Sequence, residues 1–318
     1  MTILSNVGSD TAVMREHRDF LSELDFSREE VIETIILANE LKELAHEHAP
    51  TYPLQDQTWG LIFHKPSLRT RISFEVGINQ LGGHCIYITD NEIQLGKRET
   101  IADAAKVLSR YLSGIVIRTF SHTDVEELAK YADIPIINGL TDLLHPCQIM
   151  ADILTIYEKL GRFEDFRMVY IGDGNNITNS WLNLSTLLGI ELVVATSPNT
   201  LPDMQIFEKA RWSGRSRVSI SHDPLEAVQG AHVIYTDVWA SMGQKDQAAE
   251  KEKQLKAFQV NSSLVAKAAP DCIVMHCLPA ERGKEITSEV MDGPHSVVFD
   301  QAENRLHAQK AIILKLQS

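Results

Sequence analysis

The sequence predicts an α/β protein with two doubly wound domains, each a mostly parallel sheet flanked by helices, joined by bridging helices. Three observations carry this. Short β-branched runs alternate with amphipathic stretches along the chain. Most runs are apolar through their centres, as strands covered by helices on both faces are. The chain has 318 residues, more than one typical core holds and enough for two domains of roughly 150 residues each.

The strand candidates, in order, are Thr58–Phe63, His84–Ile88, Gly114–Arg118, Ile134–Ile137, Met168–Ile171, Leu192–Ala195, Val218–Ile220, His232–Thr236, Cys272–His276 and Val297–Phe299. Helical periodicity falls between most of them, at Arg69–Leu81, Ile101–Tyr111, Val125–Tyr131, Gln148–Leu160, Ile177–Leu188 and the terminal Glu303–Leu316. The first sheet ends near Ile137 and the second begins near Met168. The helix Gln148–Leu160 bridges them, with Gly161 as its natural stop. This gives domains 1–147 and 148–301, with the last helix, 302–318, packing back on the first domain. In such folds ligands sit beyond the carboxyl ends of strands, often between domains.

Bulk composition excludes several classes. The formal net charge of −13 disfavours nucleic acid and anionic membrane as partners. No stretch approaches the roughly 20 apolar residues of a membrane span. Residues 1–20 lack the marks of a signal or transit segment. The cysteines Cys85, Cys147, Cys272 and Cys277 show neither CxxC pairing nor metal-ligand spacing. A reduced, cytoplasmic setting is expected, with no metal and no cofactor. An anion site in such a chain has to be a local concentration of donors against the global charge.

One stretch offers that concentration. After the strand Thr58–Phe63 come Lys65–Pro66–Ser67–Leu68–Arg69–Thr70–Arg71 and then a helix. Ser67 is a good N-cap, and a helix N-terminus presents free N–H groups and partial positive charge to phosphate. Arg69, Arg71 and two hydroxyls add directional donors, although one arginine can instead bridge to protein groups and shape the site. Taken alone, the motif also fits a capped surface helix with solvated arginines. Its position straight after a buried strand favours the anion site.

Ser67–Leu68–Arg69–Thr70–Arg71 resembles the Ser-Thr-Arg-Thr-Arg signature of the aspartate and ornithine carbamoyltransferases, whose loop holds the phosphate of carbamoyl phosphate. The resemblance runs from about residue 16 to the C-terminus, and the separate motifs keep the family's order. Leu68 stands where the ornithine branch usually has Thr, which removes one hydroxyl and leaves the backbone N–H. A residue other than Thr here also resembles the acetylornithine and succinylornithine relatives.

Further motifs extend the resemblance. Arg118 ends a buried strand and matches the arginine that contacts the carbonyl and phosphate of carbamoyl phosphate. His145–Pro146–Cys147–Gln148 is a signature of the family, where the His and Gln bind the carbamoyl group; such donors polarise a carbonyl and hold its oxyanion. Cys147 is read as a packed small residue. Arg305, within Glu303–Asn304–Arg305–Leu306–His307, is assigned by the resemblance to carbamoyl phosphate. Gln94 lies in a loop that in the family reaches the site of a neighbouring subunit, which implies a homotrimer with shared active sites.

The second half of the chain carries the acceptor motifs. Gly172–Asp173–Gly174–Asn175–Asn176 raises the possibility of a nucleotide loop. The third glycine of GxGxxG falls at Ile177, however, and no acidic residue ends the next strand. The segment resembles instead the ornithine branch, in which the second Asn, Asn176 here, holds the amino-acid end of ornithine. Asp237-x-x-x-Ser241–Met242–Gly243 matches the ornithine-binding loop, which is absent from aspartate carbamoyltransferases. In His276–Cys277–Leu278–Pro279, the family reading places Cys277 beside the ornithine side chain. Leu278 there offers its carbonyl to the carbamoyl NH2. Glu281 stands where many members have His, with no functional reading.

The resemblance therefore implies carbamoyl transfer from carbamoyl phosphate to the side-chain amine of L-ornithine. Arg118, His145 and Cys277 are the catalytic candidates. Rival readings are a transcarbamylase for putrescine or an N-acylated ornithine, and a non-catalytic carbamoyl-phosphate-binding protein. An NAD-dependent oxidoreductase ranks below both on its glycine loop.

Overall fold

The computed structural model describes residues 17–240 and 248–317. Among the described residues, nine strands form two sheets in which every pairing is parallel. The first contains β1 (Thr58–Phe63), β2 (His84–Thr89), β3 (Gly114–Arg118) and β4 (Ile136–Leu140), in the order β2-β1-β3-β4. The second contains β5 (Arg167–Ile171), β6 (Glu191–Ala195), β7 (Arg217–Ser221), β8 (Val233–Thr236) and β9 (Ile273–His276), in the order β7-β6-β5-β8-β9.

Each order reverses once. In the first sheet the chain goes from β1 outward to β2, then returns to lay β3 on the other side of β1. In the second it leaves β5 for β6 and β7, then returns to place β8 beside β5. At such a switch point the loops leaving the two central strands diverge and open a crevice at their carboxyl ends. Ser67–Thr70 and Arg118 lie at the first crevice; Gly172–Asn176 and Asp237 lie at the second.

The bridging helix spans Pro146–Leu160 and is buried continuously from Pro146 through Ile156. Pro146 occupies the first turn, where a missing N–H costs nothing. Gly161 closes the helix at φ 68°, a backbone region that glycine enters without a Cβ clash. The helix packs against the N-terminal helix Arg28–His46, against Asn176–Leu184 and against the C-terminal helix. One apolar core runs from Phe74 and Ile78, through Ile149 and Ile153, to Tyr170 and Tyr235 of the second sheet.

Two expectations needed correction. Val297–Phe299 is not a strand; Val298 begins the C-terminal helix Val298–Gln317, which starts five residues before the expected Glu303. Its run of β-branched and aromatic residues mimics a strand, yet it meets the open edge of β9 only at one bridge, Val274–Ser296, with Val297 N–H donating to Val274 O at 3.0 Å, before the chain turns into the helix. The fourth strand runs Ile136–Leu140 rather than Ile134–Ile137. Asn138 is polar yet buried because Phe20 pairs alongside: Asn138 N–H donates to Phe20 O and its side chain to Leu21 O, each at 2.9 Å.

The C-terminal helix lies against Arg28–His46 and against the helix Leu68–Gln80. At Gly77 the approach is close: a Cβ there would sit 3.2 Å from Lys310 Cγ. Lys310 Nζ reaches Gln80 Oε1 at 3.1 Å, and Lys315 pairs with Glu33 at 2.7 Å. This packing carries Arg305 beside the Ser67–Thr70 turn.

Candidate active site

The helix Leu68–Gln80 begins where the motif requires. Ser67 is its N-cap, its hydroxyl accepting from Thr70 N–H at 3.3 Å. The N–H groups of Leu68 and Arg69 precede the first intrahelical bond and face outward from the first turn. The Leu68 side chain is exposed, so the departure from Thr leaves the turn itself intact. Of the two motif arginines, Arg71 is engaged elsewhere: it stacks 3.9 Å over the Tyr87 ring and pairs with Glu75 at 3.3 Å. Arg69 stays half-exposed beside the turn.

Thr70 is the pivot of the site. Its buried hydroxyl oxygen accepts from Arg118 Nη1 at 3.2 Å and from Arg305 Nη2 at 3.0 Å. Two guanidinium groups are therefore aimed at one oxygen, each less than a tenth exposed. Among the described residues, neither has a carboxylate within ion-pair distance. Burial, and then the charge of Arg305, push the Arg118 guanidinium down to about 10, and burial lowers Arg305 as well. Both remain cationic at neutral pH. Two buried like charges without a counter-ion are costly, and an anion between them removes the cost.

His145 stands at the start of the bridging helix, its N–H donating to Ser180 Oγ at 2.8 Å. Burial, then Arg305 and Arg118, hold its imidazole well below its ordinary value, so it is neutral at pH 7. His145 Nδ1, Gln148 Oε1, Arg118 Nε and Arg305 Nε are buried without a hydrogen-bond partner. Unmatched buried polar atoms are rare in folded proteins. Here several gather around one small space.

The second crevice supplies the opposite charge. Asp237, 6% exposed, follows β8. Its carboxylate accepts from Asn175 Nδ2 at 2.7 Å, from the Cys277 thiol at 3.0 Å and from Val238 N–H at 2.8 Å. Burial and then Asp237 hold the Cys277 thiol well above its ordinary value, so it is a protonated donor rather than a thiolate. Asn175 also caps the helix Asn176–Leu184. Gly174 is required by close approach: its N–H donates to Thr200 O at 2.8 Å, and a Cβ would fall 2.2 Å from Pro202 N. Asn176 donates from Nδ2 to Thr141 O at 2.8 Å, tying this loop to the one after β4.

Leu278 adopts φ 59°, a region branched side chains seldom occupy. Its N–H donates to His276 Nδ1 at 2.9 Å, which leaves the proton on Nε2 to donate to Glu285 Oε1 at 3.1 Å. Asp237, His276 and Cys277 offer potential metal-ligand atoms within 4.8 Å of one another. Both His276 nitrogens are committed to these bonds, however, so the trio is built as a hydrogen-bonded support. Arg118, Arg305, His145 and Cys277 lie close enough to perturb one another's charge, which brings the two crevices into one cleft. Gln94 is exposed after β2, at φ 44°. Among the described residues it has no side-chain hydrogen bond to this cluster. Ser241 and Met242 lie outside the described residues.

Comparison with known proteins decides the family. A domain described as "Aspartate/ornithine carbamoyltransferase, carbamoyl-P binding domain" matches residues 18–158, and the "Asp/Orn binding domain" matches residues 164–316. The chain belongs to the aspartate/ornithine carbamoyltransferase family. Within it, the ornithine carbamoyltransferase of Thermococcus kodakarensis is 53% identical over 301 residues, covering 93% of this chain and 95% of that one. The chloroplastic ornithine carbamoyltransferase of Pisum sativum is 52% identical over 298 residues, 93% of this chain and 80% of the relative. Among solved structures, ornithine carbamoyltransferase from Pyrococcus furiosus superposes with a TM-score of 0.89 at 48% identity, covering 93% of this chain and 96% of that one. Like these carbamoyltransferase structures, the chain has two domains, each a parallel sheet flanked by helices.

Three side chains of the carbamoyltransferase cleft were not singled out by the sequence reading: Asn175, which holds Asp237, and Asp152 and Gln301, which hold Gln148 and the His276 backbone. The sequence reading singled out Asn176 of GDGNN, and nothing in the motif distinguished Asn175 as the one that reaches Asp237. Asp152 falls one turn after Gln148, the one sequence hint of its role.

Proposed function

We propose that this protein transfers the carbamoyl group of carbamoyl phosphate to the side-chain amine of L-ornithine, giving L-citrulline and phosphate. The observation that carries this is the cleft's polarity: two buried guanidinium groups with no carboxylate in ion-pair distance among the described residues lie on one side of Cys277, and the buried Asp237 that Cys277 donates to lies on the other. The first half suits a dianion and the second a cationic amino acid. In this reading Ser67, the Leu68 backbone, Arg69, Thr70, Arg118 and Arg305 hold the phosphate. His145, Gln148 and the Leu278 carbonyl hold the carbamoyl group. Asn176, Ser241 and Met242 take the amino-acid end of ornithine, and Asp237 and Cys277 orient its reacting amine.

The ornithine amine attacks as its neutral form, although its unperturbed pKa resembles that of Lys, about 10.4. Desolvation in the cleft favours loss of that proton. The amine nitrogen adds to the carbonyl carbon, and the oxyanion is stabilised by neutral His145 and the arginine donors. The bond from carbon to the bridging phosphate oxygen then breaks. The departing phosphate takes the amine proton. Positioning and electrostatics supply the acceleration.

A homotrimer with shared sites follows from the same reading. Support comes from an apolar face at the edge of the first sheet, where Leu68, Ile72, Val76 and Ile86 are exposed. β2 is an edge strand there; covering that face with a second copy removes a solvated apolar patch and gives exposed Gln94 a neighbouring site to enter. We place the carbamoyl-phosphate half at 1–147 and the ornithine half at 148–301, with 302–318 returning to the first. A cytoplasmic role in arginine metabolism accompanies this assignment. Among the described residues no helix is long and apolar enough to cross a membrane.

Colorimetric citrulline or ureido-product assays with ornithine, acetylornithine and putrescine test the proposal. Turnover with ornithine is expected to exceed the other two by at least tenfold. Equal or faster turnover of putrescine, or binding of carbamoyl phosphate without product, overturns it.

A further inference from the structure

The bridging helix places a second carboxyl group under the cleft. Asp152 lies one turn beyond Gln148, and both side chains are fully buried. Asp152 Oδ1 accepts from Gln148 Nε2 at 2.8 Å and from Gln301 Nε2 at 2.7 Å. Gln301 Oε1 in turn accepts from His276 N–H at 2.8 Å, and Gln301 Nε2 also reaches Tyr235 OH at 3.1 Å. A glutamine amide has a donor end and an acceptor end, whereas an ionised carboxylate only accepts; burial raises the Asp152 carboxyl to about 7, so it is mostly ionised at pH 8. Asp152 therefore forces both amides to turn their NH2 groups toward it. For Gln301 the consequence is visible, since its carbonyl oxygen meets the His276 N–H. For Gln148 the carbonyl oxygen points away from Asp152 and is buried with no protein partner.

We propose that Asp152 is a positioning residue that sets donor specificity. By fixing the Gln148 amide, it presents a carbonyl oxygen to the NH2 of the transferred group and so selects a carbamoyl over an acyl phosphate. This rests on carbamoyl phosphate being the donor. Carbamoyl phosphate carries an NH2 where acetyl phosphate carries a CH3 of similar size. A buried acceptor facing the CH3 is left unmatched, and sites built around a hydrogen bond discriminate strongly against analogues lacking it. With Asn at position 152, the amide of residue 152 can donate as well as accept. Gln148 is then free to turn its own NH2 into the cleft, donor against donor, and the distinction between the two acyl groups fades.

The test is calorimetric binding of carbamoyl phosphate, acetyl phosphate and inorganic phosphate at pH 8, with wild type, D152N, Q148A and the double variant. Wild type is expected to prefer carbamoyl over acetyl phosphate by at least about tenfold. In D152N that preference shrinks at least fivefold while inorganic phosphate binds within about twofold of wild type. Q148A shows the same pattern, and D152N adds nothing to it. A merely structural role for Asp152 moves all three ligands together; that result, or an unchanged preference in D152N, overturns the proposal. Should D152N not fold, D152S removes the same anchor and is read in the same way. Failure of wild type to bind carbamoyl phosphate refutes the donor assignment itself, a separate result.

Discussion

Arg118→Met separates the cost of the cleft from its use. The side chain is 6% exposed, and burial with the neighbouring Arg305 charge brings the guanidinium from 12.5 to about 10. That depression corresponds to about 3 kcal/mol against the charged form. Methionine fills a similar volume without charge, but the bond from Arg118 Nη1 to Thr70 is lost, worth about 1 kcal/mol. The ligand-free variant is therefore expected to be more stable than wild type by about 2 kcal/mol, and to melt higher at equal protein concentration. Ligand at a hundredfold excess over the wild-type Kd cancels that advantage, leaving the two within about 0.5 kcal/mol of each other. At a hundredfold excess over its Kd, carbamoyl phosphate stabilises wild type by about 2.7 kcal/mol. The variant has lost a charge-assisted contact of about 2–3 kcal/mol, so at that concentration it gains less than about 1 kcal/mol. Citrulline formation falls by about two orders of magnitude or more in kcat/KM. Thermal and urea unfolding with and without ligand provide the readout. A ligand-free variant less stable than wild type by more than about 1 kcal/mol refutes the reasoning, because the arginine charge would then be already compensated within the protein.

Three further expectations follow from other parts of the cleft. Asp237→Asn should lower kcat/KM for ornithine by about 10²–10³-fold, the cost of truncating a buried charge partner, with carbamoyl phosphate binding changed only a few-fold; an equal loss in both argues against charge recognition of the amine. Glu23 is fully buried against Asn183, and burial pushes its carboxyl from 4.5 up to about 7. The raised folded value means that this group's contribution is fully present below about pH 4.5 and lost as pH rises through 7. Glu23→Gln should therefore gain on wild type by up to about 3 kcal/mol between pH 5 and pH 8, and parallel stability curves would contradict it. Cys277 should resist alkylation by iodoacetamide at pH 7.5, as mapped by mass spectrometry. Cys277→Ser should keep measurable turnover, since the thiol acts as a hydrogen-bond donor; rapid alkylation or complete loss of turnover points instead to a nucleophile.

The alternation of apolar runs and amphipathic stretches was enough to define the α/β class and eight of the nine strands to within a residue or two. Period and β-branching are local properties, and buried parallel strands display them directly. The phosphate turn was legible for the same reason: Ser67 caps its own helix, and the N–H groups it leaves free lie within the next three residues. Position-specific motifs also singled out Arg118, His145, Asp237 and Cys277, Arg118 as the last residue of its strand and the others in the loops after strands.

Sequence alone could not give the partnerships. Arg118 and Arg305 meet at Thr70 from 48 and 235 residues away, and only packing of the C-terminal helix on the first domain brings them there. Arg69 and Arg71 are equivalent on paper, but the Tyr87 ring and Glu75 occupy one of them. Val297–Phe299 reads as a strand by propensity, but after a single bonded residue at the edge of β9 it turns into the C-terminal helix at Val298. Asp152 looked like an ordinary helix residue until Gln301, 149 positions on, shared its carboxylate. A hydrogen bond or a buried charge takes its meaning from whatever lies across from it, and only the folded chain determines what that is.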